Sequence, residues 1–282
     1  MSNLRSESET TRPRDAPADA TPAAASASPR APLILGLDTT TEVRSVAVVR
    51  GARVLACTRG RVLRENSARV LLDVQAALHD SGVTLDDIEL FAAATGPGSF
   101  TGLRSGLATV KAFAATLNRP VVGVPTLHAV AYACGVTPRV LACLPAGRGE
   151  LFAQFLAVDD EQVVRELGEP SHLIPAAVFE RAANWGGDLM WAGAGAHSHA
   201  ASIREFAVGQ GIDWHEGGAA AVGSGSEGGV SWTLAPPSES YAEQIAALGL
   251  KSYLAGSTSA AEDLQALYVR LSDAELNERC RA

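Results

Sequence analysis

A short apolar run, Ile88 to Thr95, passes into a helical pattern through seven residues, Gly96-Pro97-Gly98-Ser99-Phe100-Thr101-Gly102, and this junction restricts the fold more than any other stretch. The spacing of Leu103, Leu107, Val110, Phe113, Ala114 and Leu117 predicts a helix that Asn118-Arg119-Pro120 ends. Where a strand feeds a helix, backbone N–H groups and the helix dipole favour an anion. The spacing nevertheless excludes the two common nucleotide loops. A dinucleotide fingerprint needs Gly-x-Gly-x-x-Gly, and here three residues separate Gly98 from Gly102. A P-loop needs Gly-Lys-Ser/Thr, and Gly102 is followed by Leu103-Arg104.

The glycines have a second use. Gly102 and Gly106 lie one turn apart, with the small Ala108 and Ala114 beyond them. Glycine inside a helix costs about 1 kcal/mol relative to alanine, so the pair points to a close approach that needs the room. Packing within the chain is the nearer reading of these residues, and a partner is the other. Arg104 and Lys111, seven apart on the same helix, fit either an anion or a solvated edge.

Around this junction the chain reads as α/β. Leu33 to Asp38 is a continuous apolar run ending in an acid, which suits a strand buried on both faces. Polar Thr39 to Glu42 turns it into Arg44–Val49, and a second turn leads to Val54–Thr58, an antiparallel meander. Asn66-Ser67 starts a helix with Val70, Leu71, Val74, Ala77 and Leu78 on one face. Val121 to Val124 is a further strand. The second half repeats the order more faintly, with a hairpin from Arg139–Leu144 and Glu150–Val158, a strand at Leu189–Ala192, and a helix from Tyr241 to Leu254. An internal duplication is expected: a disordered tail at 1–32, an N-terminal lobe at 33–124, and a C-terminal lobe at 125–282. Within that second lobe, residues 209–229 are rich in Gly, Ala and Ser and read as a flexible surface insertion.

Charge narrows the function classes. With 23 basic and 31 acidic residues among 282, the chain has a formal charge of −8, a poor basis for gripping nucleic acid alone. No apolar run approaches the roughly 18 residues of a membrane span. The tail lacks the apolar core of a secretion signal, which favours a cytoplasmic protein. Cys57, Cys134, Cys143 and Cys280 show no metal-ligand spacing and read as buried structural thiols. His197-Ser198-His199 has no third ligand in view, and Gly225-Ser226 lacks the flanks of a nucleophile elbow. Asp38-Thr39-Thr40-Thr41 is the other constellation with chemistry in it. A carboxylate and hydroxyls between two strands suit a phosphate and its Mg²⁺; they equally suit a turn that satisfies its own N–H groups.

The run Gly96-Pro97-Gly98-Ser99-Phe100-Thr101-Gly102-Leu103-Arg104 resembles the signature of the TsaB (YeaZ) family, a subunit of the bacterial tRNA threonylcarbamoyladenosine machinery. Leu35 to Glu42 with Ser45-Val46-Ala47 is similar to that family's opening hairpin. Val121 to Val124 followed by Thr126-Leu127 is similar to the segment after its signature helix, and Tyr268-Val269-Arg270 to its C-terminal Tyr-Leu-Arg. The likeness is close from Leu33 to about Cys134 and thin afterwards. Asn66-Ser67-Ala68 stands where the family has His-Ser-Glu, and Pro145-Ala146-Gly147 where it has Asp-Ala-Arg. Ala266-Leu267 precedes Tyr268 where the family has a proline.

The resemblance implies an actin and sugar-kinase fold, two duplicated α/β lobes with mixed sheets, and no catalysis by this chain. The related catalytic subunit TsaD holds a metal through a His-x-x-x-His pair, which His172, His197, His199 and His215 do not form. It further implies pairing with TsaD through the N-terminal lobe, with the ATPase TsaE joining and a homodimer when alone. Together they transfer threonylcarbamoyl from its adenylate to the adenosine beside the anticodon, in tRNAs that read codons beginning with A. On that reading tRNA is met only indirectly. ATP or ADP and a divalent metal belong to the partner complex, and none is bound by this chain alone. Gly96, Pro97, Gly98, Ser99, Phe100, Thr101, Gly102, Leu103, Arg104, Gly106 and Lys111 become the expected partner interface, with Gly102 and Gly106 as its helix-packing face. Asp38, Thr39, Thr40 and Thr41 become a vestigial phosphate turn. The competing expectation is an ATP-dependent phosphotransferase or acyltransferase of the same superfamily that uses Asp38.

Overall fold

Strand β1 (Leu33–Asp38) is buried along its whole length, as an unbroken apolar run requires of a strand covered on both faces. The computed structural model describes residues 31–61, 68–217 and 229–269. The expected tail, except for its last two residues, lies outside them, as do Asn66-Ser67, Gly225-Ser226, Arg270 and Cys280. β1 pairs antiparallel with β2 (Val43–Arg50), and β2 with β3 (Arg53–Arg61), completing the meander. After α1 (Ala68–Ser81), β4 (Leu90–Ala94) pairs parallel with β1. α2 (Phe100–Leu117) then leads to β5 (Val121–Val124), parallel with β4. The first sheet has the order β3-β2-β1-β4-β5.

The second half follows a short helix, α3 (Thr126–Tyr132). β6 (Thr137–Gly147) and β7 (Glu150–Val158) form the expected hairpin, joined on the β7 side by β8 (Val164–Glu166) and β9 (Ser171–Leu173). α4 (Pro175–Trp185) precedes β10 (Leu189–Ala192), which runs parallel with β6. α5 (Ala194–Ser198) and α6 (Ala200–Gly209) lead to β11 (Asp213–Glu216). β12 (Ser231–Leu234) lies between β10 and β11, parallel with both. The run β8-β7-β6-β10-β12 thus repeats β3-β2-β1-β4-β5 in both order and direction. This is the duplicated, mixed-sheet α/β architecture of the actin and sugar-kinase superfamily.

Three apolar layers hold the sheets. Alternation along β1 sends Leu33, Leu35 and Leu37 to the outer side, where they meet Val70 and Val74 of α1 and Leu103, Leu107 and Val110 of α2. Ile34 faces the middle layer, where Leu127 and Val130 of α3 meet Val140, Leu156 and Met190 of the second sheet. The far side of the second sheet sets Trp191 and Trp232 against Phe179 of α4 and Ile203 of α6.

α7 (Ala242–Leu254) joins that middle layer, and its position departs from the expected division at residue 125. It packs on β1, β2, β4 and β5 of the first sheet. Small residues permit the approach: a Cβ on Gly36 would lie 2.9 Å from Ala246 Cβ, and one on Gly249 would lie 2.6 Å from Ala92 Cβ. The expected insertion at 209–229 also needs correction. Asp213–Glu216 is β11, paired along its length with β12, and Trp214 packs on the Trp191–Trp232 layer at the far side of the second sheet. Glycine-rich flanks hid a four-residue strand, and residues 218–228 lie outside the described residues.

No described helix is long and apolar enough to cross a membrane. Burial pushes the Cys134 thiol up to about 12 and raises Cys143 and Cys57 as well. Thiolate is the reactive form, so Cys134 and Cys143 should alkylate with iodoacetamide only after unfolding. Peptide mass spectrometry of native and denatured protein reads this directly, and rapid native labelling of Cys143 would contradict its burial.

Candidate functional site: the signature loop and the turn it closes

Asp38 ends β1 with no exposure to solvent. Its Oδ1 accepts from the Thr40 N–H and the Thr40 hydroxyl, both at 2.8 Å, and its Oδ2 accepts from the Thr41 hydroxyl at 2.5 Å. Burial pushes the carboxyl above its ordinary range, against the pull of the Thr41 and Thr40 hydrogen bonds. The Thr40 hydroxyl, already donating to Asp38, lies 3.0 Å from the Thr126 hydroxyl at the start of α3. The turn is therefore tied to both halves of the chain. It also answers the question left open at the sequence level, because its polar groups satisfy one another.

The signature loop closes over this turn. The Ser99 N–H donates to the Thr40 carbonyl at 2.8 Å, and the Thr39 hydroxyl donates to the Gly102 carbonyl at 2.7 Å. Ser99 caps α2 by accepting from the Gly102 N–H. Two N–H groups of the expected anion cradle are thus used within the chain. The glycines make the contact possible. A Cβ on Gly98 would lie 2.8 Å from Thr40 Cβ; one on Gly102 would lie 3.0 Å from the Thr39 carbonyl carbon and overlap its oxygen. One on Gly106 would overlap the Thr39 hydroxyl. Gly102 and Gly106 are therefore a packing face for Thr39 inside this chain, and the expectation that they form the partner's packing face is corrected.

The remaining signature residues divide by exposure. Gly96, Pro97 and Leu103 are buried, and a Cβ on Gly96 would meet the Leu267 carbonyl oxygen at 2.8 Å. Gly98 is half-buried. Ser99, Phe100, Thr101 and Arg104 are exposed, and Lys111 is half-buried with its Nζ donating to the Glu262 carbonyl at 3.2 Å. The Arg104 guanidinium stacks 3.9 Å above the centroid of the Phe100 ring. Further along α2, Ala108 and Ala112 are exposed, as are Leu71 and Leu72 on neighbouring α1.

Thr126, Tyr241 and Tyr268 escaped the sequence reading as site residues. Tyr241 is buried, and its hydroxyl is pushed well up by burial and then by the negative charge of Asp38. Tyr268 packs on Phe100 with ring centroids 6.0 Å apart. Tyr268 carries a signal in the C-terminal Tyr-Val-Arg and Thr126 one in the Thr126-Leu127 pair after Val124, whereas Tyr241 carries none. The histidines lie elsewhere: His199 Nδ1 is 3.1 Å from the Gly195 carbonyl and 3.0 Å from the Ser198 hydroxyl, and His172 pairs with Glu150 at 2.8 Å. Among the described residues no cluster has the makings of a metal site.

Similarity to known proteins agrees with this geometry. The family model described as TsaD, tRNA N6-adenosine threonylcarbamoyltransferase, matches residues 61–199. The tRNA threonylcarbamoyladenosine biosynthesis protein TsaB of Escherichia coli is 35% identical over 170 residues, 57% of this chain and 71% of that protein. A tRNA N6-adenosine threonylcarbamoyltransferase of Sphingopyxis alaskensis is 36% identical over 34% of this chain and 33% of its own length. The solved structure of YeaZ from Pseudomonas aeruginosa superposes with a TM-score of 0.61 at 24% identity, covering 84% of this chain and 99% of that one, which is a likeness of fold.

Proposed function

The chain belongs to the TsaB family of tRNA threonylcarbamoyladenosine biosynthesis proteins, and we propose that it is the non-catalytic subunit that binds a TsaD-type transferase and activates it. The transferred group is threonylcarbamoyl, and its acceptor is the adenosine beside the anticodon in tRNAs reading codons that begin with A. The observation that carries this reading is the closed contact between the Asp38–Thr41 turn and the Gly96–Gly106 segment. A phosphotransferase needs carboxylate oxygens free to face a metal and phosphate. Here both Asp38 oxygens accept from Thr40 and Thr41, and the residue is wholly buried. The turn therefore does not fit a nucleotide phosphate and its cation. Nucleotide and divalent metal are left to the partner complex, including the ATPase TsaE, and tRNA to the assembled transferase.

What the signature helix offers outward is a surface. Phe100, Thr101, Arg104, Ala108 and Ala112 face solvent from α2, with Leu71 and Leu72 exposed on α1. Small and apolar residues on a regular helix suit close packing against another helix. The same face serves a second copy of this chain when the transferase is absent.

Mixing the purified protein with TsaD from the same source, followed by size-exclusion chromatography and a tRNA threonylcarbamoylation assay, tests the proposal. Co-elution and modification that depends on this chain are expected. Ala112→Arg, on the exposed side of α2, is expected to abolish co-elution while leaving the melting temperature unchanged. No complex and no stimulation would overturn the reading, and ATP turnover by the lone wild-type chain would revive the enzyme alternative.

A further inference from the structure

The last described segment of the chain packs along β5 and against α2. After α7 it runs beside β5, exchanging both hydrogen bonds of a bridge between Ser259 and Val121. Ala261 and Leu264 are buried in the outer layer under α2, and a Cβ on Gly123 of β5 would already lie 3.0 Å from Leu264. Lys111 of α2 holds the Glu262 carbonyl. The Leu267 N–H then donates to the Thr95 carbonyl at 2.7 Å, immediately before the signature loop. This strap ends by setting Tyr268 on Phe100.

The result is an exposed aromatic pair, with the rings tilted 44° to one another. Phe100 is 46% exposed and Tyr268 53%, with Arg104 on the Phe100 ring. No carboxylate among the described residues pairs with Arg104. α2 carries Arg104 and Lys111 and no acid in 18 residues, although the chain as a whole has a charge of −8. A guanidinium held over an aromatic ring loses less freedom on binding than one free in solvent, and its planar fork matches a carboxylate. Arg and Tyr with a desolvating apolar surround are the usual anchors of protein interfaces.

We propose that Arg104, Phe100 and Tyr268 form a recognition point for a carboxylate side chain on the protein that docks against α2, with the C-terminal strap supplying one wall. This rests on the docking reading above and names the chemistry that the partner must present there. A carboxylate is favoured over a nucleic-acid backbone because one unpaired guanidinium beside two rings matches a single bidentate anion, whereas phosphate tracking needs a row of cations.

Affinity of the full-length protein for the TsaD subunit, measured by isothermal titration calorimetry, tests this with Arg104→Ala, Arg104→Lys, Tyr268→Ala and Tyr268→Phe. Arg104→Ala and Tyr268→Ala are each expected to weaken binding about tenfold or more. Arg104→Lys should do so nearly as much, because an ammonium cannot replace the fork, and Tyr268→Phe should bind as wild type. The Arg104→Ala/Tyr268→Ala double variant should weaken binding by less than the product of the two single effects. Wild-type association with no loss in Arg104→Ala and Tyr268→Ala overturns this inference and leaves the docking reading standing. No wild-type association defeats both. Loss of tRNA binding by the lone chain in Arg104→Ala, with partner affinity unchanged, assigns Arg104 and the aromatic pair to RNA and overturns the inference as well.

Discussion

Gly102→Ala lowers the stability of the folded chain by about 3 kcal/mol, and Gly106→Ala by about 2 kcal/mol. On an open helix face the sign is opposite, since alanine is favoured over glycine by about 1 kcal/mol. The direction of the change therefore separates a glycine that faces a partner or solvent from one filled by its own chain. At Gly102 the obstacle is the Thr39 main-chain carbonyl, which is anchored at the end of β1 and cannot rotate away. At Gly106 it is the Thr39 hydroxyl, which is held by its hydrogen bond to the Gly102 carbonyl. Thr39→Ala should therefore relieve part of the Gly106→Ala penalty and little of the Gly102→Ala penalty. Thermal unfolding of the three single variants and the two doubles with Thr39→Ala reads the effect, with a fall of about 6–10 °C expected for Gly102→Ala. A rise in melting temperature for either glycine variant would show an outward-facing helix side and undo the internal-packing account.

Asp38→Ala costs about 3 kcal/mol at neutral pH, because the Thr40 N–H is left buried without its acceptor and the Thr40 and Thr41 hydroxyls each lose their shorter hydrogen bond. Asp38→Asn is expected to be far milder, since its amide oxygen still accepts from the Thr40 N–H. The two variants also part company with the wild type in pH dependence. Burial raises the folded carboxyl above the unfolded value of 3.8, so the folded state binds a proton more tightly than the unfolded state does. Linkage then makes wild-type stability fall as pH rises from about 4 through the raised folded value, and stay level above it. Asp38→Asn lacks this titration. Its stability relative to wild type should grow across that interval and then reach a plateau, as measured by urea unfolding at a series of pH values. A relative stability that instead shrinks as pH rises would mean that the Thr40 and Thr41 hydrogen bonds dominate and hold the carboxyl ionised. Because Asp38→Ala loses stability, Asp38→Asn is the variant to use in any activity assay.

Much of the architecture could be read from local pattern. The unbroken apolar run of β1, the polar turn after it, the meander, α2 and the β6–β7 hairpin each follow from a period or a punctuation within about twenty residues. The duplication was visible as a repeated order of such segments. β11 was missed because Gly209 to Gly229 has the composition of a loop, while its four strand residues owe their place to pairing with β12. α3 has only seven residues, too few for periodicity to separate it from a loop.

The class of fold and the seven-residue junction that identifies the family are legible in local order, because strand alternation, helix periodicity and glycine spacing are properties of neighbouring residues. Local order also narrowed the use of Gly102 and Gly106 to two choices. Tertiary structure alone decided between them, by bringing Thr39 against Gly102 across 63 residues of sequence. It likewise placed α7 on the first sheet and Tyr268 on Phe100. Such contacts are selected by which surfaces meet when the layers close, and small residues such as glycine and alanine permit an approach without specifying the group that will fill it.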